Sequence, residues 1–131
     1  MRVLLMLLLL AGGATDIRDE LTGRWVGTSI CTEPRGACHD EIASYRITKH
    51  ADAGKVTLSA NKMVNGEEQV MGVNDFTVDA KTHTLQTEFD TPRRARVRIE
   101  LAWKGEDMTG TFILLSEGGR VGRNIKLKRE H

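Results

Sequence analysis

Beyond residue 15 the hydrophobic positions recur with period two. In RARVRIELAW, Ala95, Val97, Ile99, Leu101 and Trp103 share one face, and Arg94, Arg96, Arg98 and Glu100 share the other. That alternation is the mark of a half-buried strand. Tyr45 with Ile47, Phe76 with Val78, and Leu85 with Phe89 repeat it. Turn residues divide the chain into strands expected near 24–31, 41–50, 55–63, 67–73, 75–80, 83–90, 94–103, 108–116 and 120–129. The breaks are ADAG, NG, DAKT, TPR, KGED and EGG, where Gly, Asn and Asp supply the positive φ of tight hairpins. Segments 67–73 and 75–80 read as two strands or as one bent strand. FILL, residues 112–115, is apolar on both faces and takes no face assignment. DIRDEL, residues 16–21, has room for one helical turn at most. Eight or nine sequential strands joined by tight turns predict an all-β fold, an up-and-down antiparallel β-barrel, because closure removes exposed edges.

The opening MRVLLMLLLLAGGATD departs from this pattern. One Arg, an apolar run and then small residues form the layout of a secretory signal peptide, expected over residues 1–14. A single domain over 15–131 follows, expected to be exported to the periplasm or secreted. The apolar run is shorter than the about 20 residues of a membrane span, so no integral span is expected. Without Arg2 the chain carries 18 Lys/Arg and 18 Asp/Glu, which lacks the basic excess of a nucleic-acid binder. Residues 15–80 hold 7 basic and 11 acidic residues and residues 81–131 the reverse, so the halves neutralise one another on folding.

LTGRWVGT, residues 21–28, resembles the start of calycin barrels. Lipocalins open their first strand with G-x-W and avidins with a similar T-G-x-W; Gly23 and Trp25 match. The resemblance implies a barrel plugged at one end by the first-strand Trp. It also implies an Arg from the last strand across that Trp. Arg123 shares the apolar parity of Val121, Ile125 and Leu127 in RVGRNIKLKR and is the expected counterpart. The chain departs from lipocalins in its length and in lacking their longer first loop and C-terminal helix. Aromatic content of 5% is low for a biotin-type pocket. The whole chain also resembles an uncharacterised group of small exported bacterial proteins, a likeness that supplies no activity.

CTEPRGACHDE, residues 31–41, holds both cysteines. In an exported chain they most simply form one disulfide, Cys31–Cys38, across a turn containing Pro34 and Gly36. A redox pair would take C-x-x-C beside a helix, and zinc would take two more ligands at matching spacing. No metal or cofactor is expected. His39, Asp40 and Glu41 could suggest acid–base chemistry, but in an extended chain Asp40 points away from the other two. His50 and His83 fall at turns without partners at ligand spacing. No nucleophile elbow, zinc-protease or phosphate-loop motif occurs, so an enzyme ranks last.

Two binding functions remain. One is a non-catalytic barrel for a small apolar or anionic ligand, with Val97, Ile99, Leu101 and Trp103 as candidate lining residues. Its accessible cavity would lie opposite the tryptophan plug. The other is a protein-binding barrel, such as an exported protease inhibitor with Thr15 to Glu20 as its inhibitory segment. Arg94, Arg96 and Arg98 form a basic stripe, a candidate for surface interaction or for pairing with acidic neighbours across the sheet.

Overall fold

The structure is a computed structural model that describes residues 15–33 and 36–131; the expected signal peptide, residues 1–14, lies outside the described residues. Eight antiparallel strands follow a short 3-10 helix, Ile17–Glu20. They are β1 (Gly23–Cys31), β2 (Glu41–Lys49), β3 (Lys55–Val64), β4 (Glu67–Asp79), β5 (Thr84–Asp90), β6 (Arg96–Lys104), β7 (Asp107–Leu114) and β8 (Arg120–Glu130). Each pairs with the next, and β8 returns to β1 to close an up-and-down barrel. The two segments expected over 67–80 are one strand of 13 residues, kinked by a register shift opposite Ala60 and Asn61. A second shift, opposite Phe112 and Ile113, skips Gly122 of β8, while the unbroken ladder with β6 resolves the FILL stretch. Phe112 and Leu114 pair with Ile99 and Val97 and turn inward, whereas Ile113 lies opposite Arg98 and Val121.

The strand directions divide the barrel into two ends. Gly23, Lys49, Lys55, Lys104 and Glu130 mark one, where the 3-10 helix also docks. The other carries the β1–β2, β3–β4, β5–β6 and β7–β8 connections. The first end is solid. Leu21, Trp25, Phe76, Leu85, Leu101 and Met108 are all at most 1% exposed. Arg18 fixes the plug, pairing with Asp16 at 2.8 Å while its Nη1 donates to the carbonyls of His50, Asp52 and Lys55. These are carbonyls of the β2–β3 turn, which the guanidinium fork satisfies together.

Trp25 sits at the centre of this end. Its indole Nε1 donates to the Leu21 carbonyl at 2.8 Å, so burial of the ring leaves no polar atom unpaired. The Arg129 guanidinium lies 4.8 Å from the ring centroid and donates to the Thr22 carbonyl at 2.9 Å. The arginine across the tryptophan is therefore Arg129 and not Arg123. The parity expected for β8 holds from Arg123 to Leu127 and fails at Val121, which lies beyond the skipped Gly122 and opposite Ile113, but β8 runs antiparallel to β1. Trp25, near the start of β1, pairs with Arg129, while Arg123 pairs with Cys31 at the far end. Gly27 lets β1 and β8 meet there, since a Cβ on it would lie 1.9 Å from the Lys126 carbonyl oxygen.

Trp25→Ala should cost about 3–5 kcal/mol, as for other fully buried tryptophans. Arg129→Ala should cost about 1–2 kcal/mol through the cation–π contact and one hydrogen bond. Urea unfolding monitored by tryptophan fluorescence measures both. Arg123→Ala, whose contacts lie at the far end, should leave the native tryptophan emission unchanged, whereas Arg129→Ala should shift it. Equal shifts for the two arginine variants would refute the assignment.

Candidate functional site: the barrel mouth

Away from the plug the side chains facing inward no longer fill the barrel. A cavity of about 320 Å³ opens at this end, and residues from all eight strands line it. Barrels of this strand number either fill with side chains or hold one small ligand; here the two conditions divide the interior between them. Phe89, Ile99, Phe112 and Ile125 supply an apolar wall, and Ala60 leaves space beside Tyr45, its cross-strand partner.

The polar side of the mouth is built around Arg123. Its Nη1 reaches the Ser29 carbonyl and Oγ, both at 3.3 Å, and its Nη2 donates to the His39 carbonyl at 3.0 Å. Glu41 Oε1 is 3.4 Å from Nη2. Several of these contacts are long for charge-assisted bonds, so the fork keeps donor capacity toward the cavity. Burial pushes the Tyr45 hydroxyl up to about 12, with the Glu41 carboxylate adding to the rise and Arg123 opposing it.

The β1–β2 connection holds this arrangement over the mouth. Cys31 and Cys38 are joined in a disulfide. The Asp40 carboxylate accepts from the Cys31 amide at 2.9 Å, and Thr32 bonds to the Val121 and Gly122 carbonyls of β8. The His39, Asp40 and Glu41 run thus serves three separate contacts: a carbonyl for Arg123, a cap for Cys31 and an ion pair. Among the described residues, no three His, Cys, Asp or Glu side chains gather into a metal-holding group, and no helix is long and apolar enough to cross a membrane.

Val97, Ile99, Leu101 and Trp103 all face the interior, but of the four Ile99 alone borders the cavity. Leu101 and Trp103 belong to the packed half, where Trp103 stacks on His83 with ring centroids 4.8 Å apart. The basic stripe is engaged: Arg96 pairs with Glu88 and Asp90, and Arg98 with Glu88 and Glu100. Arg94 sits in the β5–β6 turn at a φ of 61°. The structure adds Arg123, Glu41, Tyr45 and Phe112 to the mouth. A parity signal existed for three of these, since Glu41 and Tyr45 share the inward parity of Ile47, and Arg123 that of Ile125 and Leu127.

The closed, eight-stranded, up-and-down antiparallel barrel is consistent with a calycin-like fold. No protein-family model, curated protein or solved structure matches the chain.

Tyr45 is the only tyrosine, so its ionisation can be read directly. Phenolate absorbance should titrate near pH 12 in the folded protein and near pH 10 in denaturant. A raised phenol pKa favours the neutral native form, so its contribution to stability is complete below about pH 10 and declines as pH rises toward 12. Tyr45→Phe should remove that part of the alkaline decline. A native midpoint at 10 would place the hydroxyl in open water.

Proposed function

We propose that the protein is a non-catalytic binding barrel that takes one small apolar or anionic molecule into the mouth cavity. The observation that carries this reading is the about 320 Å³ cavity, hollow at one end of a barrel packed solid at the other. An apolar body would lie against Ile99, Phe112 and Ile125, and an anionic group would take the donor capacity of Arg123. Glu41 keeps the site near neutral, so a molecule without charge remains compatible. The resemblance to calycins supports the same reading at the level of fold. Against the inhibitor reading, Asp16 to Glu20 is folded onto the closed end through Arg18, away from the mouth. Export is supported by the disulfide and the leader-like N-terminal sequence.

Decanoate and decanol make a matched pair of probes for calorimetry and thermal unfolding. Binding should raise the midpoint with concentration by mass action. Ala60→Phe should fill the cavity and abolish binding of both, while the unliganded midpoint stays within a few degrees. Arg123→Gln should weaken decanoate about tenfold, the loss of one charged hydrogen bond, and spare decanol. Binding that survives Ala60→Phe, or no binding of either probe, would sink the proposal.

A further inference from the structure

The barrel closes unevenly. Every neighbouring pair of strands is laddered over seven to ten residue pairs, except β4 and β5, which share three: Thr77↔Gln86, Val78↔Leu85 and Asp79↔Thr84. All three lie at the closed end. From Glu67 to Phe76, β4 is paired with β3 and has no β5 partner, and β5 from Thr87 to Asp90 is paired with β6 alone. The Val78 amide donates to Gly54, on the β3 side. Backbone groups alternate sides along an antiparallel strand, so those of Asp75 and Val73 face the open side. An edge with free N–H and C=O groups is a template for another strand.

The side chains around this edge are unusual for a solvated one. Val70, Met71 and Val73 are 61%, 54% and 57% exposed, three of the six large hydrophobic residues most open to water among the described residues. Edges left to solvent usually carry lysine, proline or inward charges that discourage pairing; β4 has none of the first two. Its charges are all carboxylates: Glu67, Glu68, Asp75 and Asp79. β5 adds Glu88 and Asp90, and neither strand contains Lys or Arg. Arg24 and Arg46 engage Glu68, and Arg96 and Arg98 engage Glu88 and Asp90. Glu67, at one end of the open edge, is the carboxylate left for an incomer; Asp75, near the other end, accepts from Thr57 Oγ1 at 2.9 Å and lies 3.3 Å from His50 Nε2. A second copy of the chain would set carboxylate strands side by side, which is unfavourable.

We propose that the open edge of β4, Glu67 to Phe76, docks an extended segment of a partner protein that alternates basic and apolar residues and joins the sheet as an added strand. Backbone hydrogen bonds along Val73 and Asp75 would supply the register. Apolar residues on one face of the segment would cover Val70 and Val73, which share a face because the ladder skips Met71, and basic ones on the other would meet Glu67.

A fluorescein-labelled decapeptide of alternating Lys and Val is the probe, titrated with the full chain and read by anisotropy. It should bind, and amide exchange at Val73 and Asp75 should slow in the complex. Methylating the alternate peptide nitrogens on the pairing side should weaken binding at least tenfold, as should replacing Lys by Glu. Val73→Pro removes an amide that the β3–β4 ladder does not use, so it should fold with an unchanged thermal midpoint and also lose binding about tenfold. Ala60→Phe, which fills the cavity, should leave peptide affinity unchanged, separating this site from the mouth ligand. The proposal is overturned if the Lys-Val peptide does not bind, or if methylation or Val73→Pro leaves affinity intact. Equal affinity for the Glu peptide, loss of binding in Ala60→Phe, or self-association of the chain through β4 would overturn it equally.

Discussion

The pairing of the first strand with the last is the constraint on which the rest of the structure depends. β1 and β8 are matched from Arg24↔Glu130 to Cys31↔Arg123, and this ladder turns a meander into a barrel. It requires close approach, which Gly27 permits by presenting no side chain to the Lys126 carbonyl. It also brings Trp25 and Arg129 together, so the stacked cation and ring lock the same seam that the backbone closes. With the start of β1 and the end of β8 both at the plug, the even-numbered connections sit there too, and the odd-numbered ones surround the mouth. The position of the cavity follows from that arrangement.

Much of the fold was legible because alternation is a direct readout of a pleated surface with one wet face. β6 carries the pattern without exception, and its inward residues are the ones the structure buries. Legibility failed where parity is interrupted or both faces are apolar. The ladders skip Met71 of β4 and Gly122 of β8; on β7 alternation is regular, and FILL resisted a face assignment because Ile113, outward between Phe112 and Leu114, is apolar as well. Arg123 was misplaced for another reason. Parity specifies the face of a residue but not its height along the barrel, and height comes from strand direction. An antiparallel closure sends the start of β1 to the end of β8, and that step selects Arg129.

The site was less legible than the fold. Whether an inward residue packs or lines a cavity depends on the summed volume of side chains at one level of the barrel, drawn from strands far apart in sequence. Ile99 and Leu101 are two residues apart and face the same way, yet only Ile99 meets open space. At the level of Leu101, Gly110 brings β7 so close that a Cβ would lie 2.1 Å from the Glu100 carbonyl oxygen. At the mouth, Ala60, Gly72 and Ser29 are small and leave the interior unfilled. No local pattern announces that difference. The disulfide was legible because the chain holds two cysteines, seven residues apart, and they allow a single pairing.

The same division of labour explains how the barrel tolerates both a hollow end and an incompletely laddered seam. Burial in the plugged half is nearly complete, and hydrophobic stabilisation scales with the apolar area removed from water. Stability is therefore concentrated where β4 and β5 still pair. Above that level, the disulfide ties the β1–β2 connection to the end of β1, and Arg123 and Thr32 fasten it to β8, on strands distant from the β4–β5 gap in the order of the barrel. The gap is left without an equivalent fastening among the described residues. On β2 and β1, Arg46 and Arg24 converge on Glu68 and hold its carboxyl down to about 2, so β4 is secured from the β3 side alone. A strand held firmly along one edge and free along the other keeps its shape without a second neighbour. That rigidity preserves the mouth as a cavity while leaving β4 exposed at its rim.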